Sequence, residues 1–311
     1  MNRRDFVAAA AALALAPRSL APRAPLALVT ADLEARLVVV DLDGGRVVRR
    51  IPTLRSPRSI EAVGAAAVVA HSEVGAVSIL DTRRLTVAHT LHGFGEPRYT
   101  AGHPDGRHAF LTDAKRGELV VLDVVRGRVV GRLEVGLLAR HLSLDPAART
   151  LWIALGSKAH ELAVVDVTAP AAPRLVRRFR PPFLAHDVGF APDGRHAWVT
   201  SADRSELALY DTATGRLVSR PSGDWPPQHV TFGRGRAYVT SGWSGTLRVH
   251  ALDGHELVSN AVPVGSYNVQ QSDGWVVTPS LGHGALTIVD AAGRVLRSER
   301  VARSSHDACV V

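Results

Sequence analysis

Repeated aspartates at nearly equal intervals, four short strand-like stretches per interval, and a first repeat lacking one strand that the last residues supply together predict an all-β fold: a seven-bladed β-propeller, its ring closed by the C-terminal strand joining the N-terminal blade. With 311 residues, 46% of them hydrophobic and only 5% aromatic, the chain builds its core from Val, Ala and Leu, which suits many short strands.

The repeated unit is an apolar strand, Asp, a short turn, Gly-Arg and a second apolar strand. Clear copies are Val38-Val39-Val40-Asp41 with Gly45-Arg46, Val120-Val121-Leu122-Asp123 with Gly127-Arg128, Leu209-Tyr210-Asp211 with Gly215-Arg216, and Ile288-Val289-Asp290 with Gly293-Arg294. Weaker copies carry Asp81 and Asp166, and Ala251 replaces the aspartate in one, so that intervals of 39 to 45 residues mark seven units. Upstream of each repeated aspartate a further strand pair is expected. Pro104-Asp105-Gly106, Pro192-Asp193-Gly194 and Ser272-Asp273-Gly274 provide Asp-Gly turns that tolerate positive φ. Phe110-Leu111-Thr112, Trp198-Val199-Thr200, Tyr238-Val239-Thr240 and Val276-Val277-Thr278 follow these turns or their counterparts.

Tyr238-Val239-Thr240-Ser241, the Pro-Asp-Gly turns and the Asp-x-x-x-Gly-Arg pattern resemble the YVTN-repeat β-propeller family, including YncE-like exported proteins, from about residue 26 to the C-terminus. The resemblance implies blades of the WD40/YVTN repeat-like type, although no Trp-Asp dipeptide of the WD40 class occurs. The second and sixth units lack the Pro-Asp-Gly turn and are the most degenerate. The first unit begins at Leu26 with its second strand. Its missing inner strand matches His306-Asp307-Ala308-Cys309-Val310, as comparison with His186-Asp187-Val188-Gly189-Phe190 shows. Closing the ring this way removes an exposed strand edge and makes Cys309 a buried strand residue.

Residues 1–24 are expected to be a twin-arginine-type signal peptide and residues 25–311 the propeller. Arg3-Arg4 precede an apolar run from Val7 to Ala16, and small residues at Ala21 and Ala24 offer cleavage positions. That run is half the roughly 20 residues a membrane span requires, so no transmembrane segment is expected and the location is extracytoplasmic: periplasm, cell envelope or secreted. The single cysteine excludes an internal disulfide and any Cys-rich metal site. A formal charge of +8, carried almost wholly by Arg, leaves nucleic acid a weak alternative partner.

Function is expected where the inner strands begin, around the central channel. Aligning those strands gives a first position of Arg58, Arg98, Arg140, His186, Gln228, Tyr267 and His306, and a second of Ser59, Tyr99, His141, Asp187, His229, Asn268 and Asp307. These groups either bond to neighbouring blades or form a ligand funnel. Arginines on three consecutive blades suit carboxylate or phosphate. His71, Lys115, Lys158, Trp225 and Trp243 are expected on the rim, where aromatic rings beside cations can stack on a sugar or base. His141, Asp187 and His229 share one alignment level and could hold a metal, without any short ligand spacing. Neighbours in an ideal strand point to opposite faces, so His186-Asp187 and His306-Asp307 are not expected to chelate as pairs.

No Gly-x-Ser-x-Gly elbow, P-loop or dinucleotide fingerprint is present, and contiguous Ser305-His306-Asp307 does not make a triad. The expectation is a noncatalytic, monomeric exported propeller without a cofactor. It would bind an anionic small molecule or polymer, or a cell-envelope protein. The alternative is a metal- or cofactor-dependent propeller enzyme, lactonase- or oxidoreductase-like, with a divalent metal.

Overall fold

Seven antiparallel sheets of four strands form the blades, as the repeat count requires. The computed structural model describes residues 25–311; the expected signal peptide lies outside the described residues. Blade three shows the plan, with an inner strand Pro97–Gly102, second and third strands His108–Asp113 and Glu118–Asp123, and an outer strand Arg128–Glu134. The other inner strands, from blade one to blade seven, are Ala308–Val310, Pro57–Val63, Ala139–Leu144, Ala185–Phe190, His229–Gly233 and Gln270–Ser272. Each lies against the next, and the last contacts the first, so the ring is closed. Blade one is built from both ends of the chain: Ala27, Leu28 and Val29 pair with Val310, Cys309 and Ala308. The degenerate second and sixth units form complete blades.

The repeated aspartate has a local cause. Its carboxylate accepts amide hydrogens from the turn that follows: Arg83 and Arg84 on Asp81, Arg126 on Asp123, Thr214 on Asp211, Ala292 and Arg294 on Asp290. The turn closes with a residue at positive φ, which explains Gly45 (+69°), Gly127 (+60°) and Gly215 (+67°). Blade two places Leu85 there at +55°.

Second and third strands are apolar almost throughout because neighbouring blades cover both faces of each sheet. Val68, Ala70, Val77 and Ile79 of blade two pack on Ala109, Leu111, Val120 and Leu122 of blade three. Outer strands face solvent, and much of the arginine surplus sits there, as in the exposed Arg46, Arg49, Arg50, Arg174, Arg177 and Arg178. Among the described residues, no helix is long and apolar enough to cross a membrane.

Candidate functional site

The inner strands of blades two to five break register where the two polar positions lie: between Pro57 and Ser59, Pro97 and Thr100, Ala139 and Leu142, and Ala185 and Val188. An irregularity of this kind leaves backbone groups out of the ladder and re-aims side chains. Signature threonines on the second strands repair the damage. Thr112 Oγ1 accepts the Tyr99 amide hydrogen at 3.2 Å and donates to the Arg140 carbonyl of the next blade at 2.6 Å. Thr200 does the same for the Asp187 amide (3.0 Å) and the Gln228 carbonyl (2.7 Å). Thr240 donates to the Tyr267 carbonyl.

Two aspartates join blades by a second route. The Asp187 carboxylate accepts the Val230 amide of blade six at 3.1 Å, and the Asp307 carboxylate accepts the Ile60 amide of blade two at 3.0 Å. Asn268 donates to the His306 carbonyl at 2.7 Å, and Ser59 to that of Arg98. Much of the polar layer is therefore blade-to-blade bonding.

Groups left over after this bonding define the site. Arg98 is buried, 8% exposed, with one ion pair to Glu96 at 3.0 Å and its Nε without a partner. Arg140 has an equally unpartnered Nε and, among the described residues, no carboxylate within ion-pair distance. Both guanidinium carbons stand about 6 Å from the centre of the Tyr99 ring, at 6.0 and 5.8 Å, close to the limit of cation–π attraction. Arg58 pairs with Asp32 at 3.2 Å. Burial and the like charges of Arg140 and Arg58 lower the pKa of Arg98, whereas burial raises that of Tyr99.

Below the arginines, Tyr99 reaches across the channel to His141, centroid to centroid 4.1 Å, and to His229 at 5.7 Å. His141, His186 and His229, on consecutive blades, bring ring nitrogens within 4.8 Å of one another. His186 belongs to this group and Asp187 does not. Across the broken register both side chains reach His229, the imidazole of His186 at 5.3 Å between centroids and the Asp187 carboxylate at 3.3 Å from Nδ1. The ideal alternation of strand side chains does not hold there. Burial, reinforced by neighbouring histidines, pushes His141 well below the ordinary imidazole range and His186 down to about 3. His306 is also lowered well below that range by burial and Arg58.

From this layer a cavity of about 390 Å³ runs along the channel to the far ends of the inner strands, past Glu61, Ser143, Phe190 and Gln270. Tyr99, His141, Asp187, His229, Asn268 and Asp307 line its upper end. Arg58, Arg98, Arg140, His186, Gln228, Tyr267 and His306 do not line it and lie one residue earlier along the chain. Gln228 is occupied by the Gly242 amide at 2.7 Å. Of the rim set, Lys115, Lys158, Trp225 and Trp243 are exposed, and Trp243 leans on Tyr267 at 6.2 Å. His71 is not on the rim: it is wholly buried, bonded to Ser78 Oγ at 2.9 Å and the Arg55 carbonyl at 3.2 Å. Its strand end folds inward under a short turn, Ser72–Val74. Glu61 escaped the sequence reading because it lies in an inner strand body, where apolar residues were expected.

Fold and site thus define a seven-bladed β-propeller with a polar, histidine-crossed channel. No protein-family model and no curated protein matches the chain. Its fold is similar to a functionally unknown protein from Desulfotomaculum acetoxidans (TM-score 0.79, 13% identity, 92% of this chain and 98% of that one). It is also similar to Kuenenia stuttgartiensis hydrazine synthase (0.69, 16% identity, 82% and 89%). A third similar structure is dihydro-heme d1 dehydrogenase NirN in complex with DHE (0.64, 18% identity, 91% of this chain and 65% of that one).

Proposed function

We propose that the chain is an exported, noncatalytic propeller of the YVTN-repeat kind that binds an anionic ligand where the inner strands begin. The observation that carries this reading is the charge imbalance on blades two to four. Three guanidinium groups meet two carboxylates, and the Nε atoms of Arg98 and Arg140 are buried without acceptors. A buried charged donor without a partner is costly, and a carboxylate or phosphate arriving there offsets that cost with charge-assisted hydrogen bonds. The threonine bridges give a physical reason for the Thr of the repeat signature and support the YVTN assignment. Arg3-Arg4 and the apolar run after them support export.

Calorimetric titration with inorganic phosphate, pyrophosphate, citrate and dextran sulfate tests the reading, comparing the native chain with Arg98→Ala and Arg140→Ala. At least one anion is expected to bind, each substitution weakening it on the order of 10- to 100-fold, the worth of one charge-assisted bond. Binding that survives the double substitution, or no binding by any of the four, overturns it.

The three converging imidazoles favour a second reading, a metal- or cofactor-dependent propeller enzyme. Two of the similar structures bear enzyme names, hydrazine synthase and a dehydrogenase described in complex with DHE. Elemental analysis and visible absorption of protein purified after native export separate the readings: a stoichiometric metal or chromophore promotes the enzyme, and a colourless, metal-free protein that binds anions supports the first.

A further inference from the structure

We propose that His141, His186 and His229 form a three-imidazole site for a divalent first-row transition ion of the zinc or copper type. This deepens the metal-dependent reading above, on which it rests, and does not depend on the anion reading. One nitrogen from each ring already lies within 4.8 Å of the others. A tetrahedral zinc with bonds of about 2.0–2.1 Å asks for nitrogens about 3.3 Å apart, so small ring rotations complete the set.

His141 is the strongest indication. It is 1% exposed, and neither of its ring nitrogens has a hydrogen-bond partner. A buried imidazole usually finds one, and leaving it unpaired costs roughly 1–3 kcal/mol. The tilted contact with Tyr99, ring centroids 4.1 Å apart, satisfies neither nitrogen.

The other two rings are oriented as metal ligands are. His186 Nδ1 donates to the Ser157 carbonyl at 2.9 Å, and His229 Nδ1 faces the Asp187 carboxylate at 3.3 Å. With Nδ1 engaged, Nε2 carries the lone pair, and an outer carbonyl or carboxylate of this kind is what ligating histidines ordinarily have. Asp187 also brings a negative charge beside the ion. Three imidazoles are the protein set of open rather than closed zinc sites, leaving a position for water or an anion. Arg140, 5.8 Å from the Tyr99 ring that packs on His141, stands near enough to favour an anion there.

A second cluster, His103, Asp105 and His108, differs in kind. Asp105 is already spent on the His108 imidazole and on the Arg107 and His108 amides, so it is a stitched turn.

The test uses tag-free protein titrated with zinc(II) against a chromophoric chelator, and with cobalt(II) read by its visible bands. One equivalent is expected, with cobalt bands of a low-coordinate nitrogen site. His141→Ala and His186→Ala should each weaken zinc at least 100-fold, and Asp187→Asn 10- to 100-fold through loss of its hold on His229. His103→Ala/His108→Ala should leave zinc binding intact, and Arg98→Ala/Arg140→Ala should leave it intact or tighten it by removing like charge near His141, the latter pair separating this site from the anion reading. Should His141→Ala fail to fold, His186→Ala, altering a less buried ring, decides. No zinc or cobalt binding at micromolar concentration, or binding indifferent to His186 and lost with His103 and His108, overturns the proposal.

Discussion

Asp187 Oδ2 lies 3.3 Å from His229 Nδ1 and 3.1 Å from the Val230 amide nitrogen, so one carboxylate both orients a channel imidazole and joins blade five to blade six. Replacing Asp187 with Ala is expected to strand the Val230 N–H and lower stability by roughly 1–3 kcal/mol, with Asn costing less because one acceptor oxygen remains. Chemical denaturation checks the order. Equal losses for Ala and Asn would remove the hydrogen bond from the explanation.

Thr112→Val and Thr200→Val should each cost roughly 1–3 kcal/mol, since Val keeps the shape but abandons an amide donor and a neighbouring carbonyl together. Thr82→Val, at an exposed hydroxyl bonded to the Ala65 carbonyl at 3.0 Å, is the control and should change little. Comparable effects at all three positions in urea melts would contradict a special role for the bridges.

Stability should fall between pH 6.5 and 8. Burial, then the charge of Asp307, raises Glu61 from its ordinary 4.5 to about 8, and burial raises Asp307 from 3.8 to about 7. Both line the channel cavity, Asp307 buried and Glu61 half-buried. A carboxyl that holds its proton more tightly in the folded chain leaves stability untouched below its ordinary pKa and opposes folding increasingly as pH climbs to the raised value. The buried histidines act in the opposite sense, but only below their ordinary 6.5. The unfolding free energy of Glu61→Gln from denaturant melts should therefore match that of the native chain near pH 4.5 and exceed it near pH 8.5, by on the order of a few kcal/mol. A gap that does not vary with pH would refute the assignment.

Ala148 occupies, at φ +55°, the position that Gly106 and Gly194 hold in blades three and five. Its amide closes the turn on the Asp145 carbonyl at 2.8 Å. Left-handed backbone costs a residue with a Cβ about 1–2 kcal/mol, partly offset by the greater freedom of Gly in the unfolded chain. Ala148→Gly is expected to stabilise by about 0.5–1 kcal/mol, read from the thermal midpoint. A loss instead would show the turn to be unstrained.

The ring was legible because its period is long and its turns have rigid requirements: six aspartates from Asp41 to Asp290, with Ala251 in the remaining place, announce seven turns, and the two ends of blade one are complementary in pattern. The site was only half legible. Alignment placed His141, Asp187 and His229 at one level, but the register break between Ala185 and Val188 depends on tertiary packing and brings His186 in beside them. His71 looked like a loop residue because nothing local marks the inward fold of its strand end. Arg98 was found by alignment, whereas its lack of acceptors depends on neighbouring blades.

The seam between Val29 and Ala308 joins residues 279 positions apart, with the Asp307 carbonyl receiving the Thr30 amide at 2.9 Å. Contacts so distant along the chain form late and slowly. The circle therefore stays open until Ala308–Val310 reach Ala27–Val29, and a chain truncated before Ala308 leaves an unpaired strand edge ready to recruit another copy.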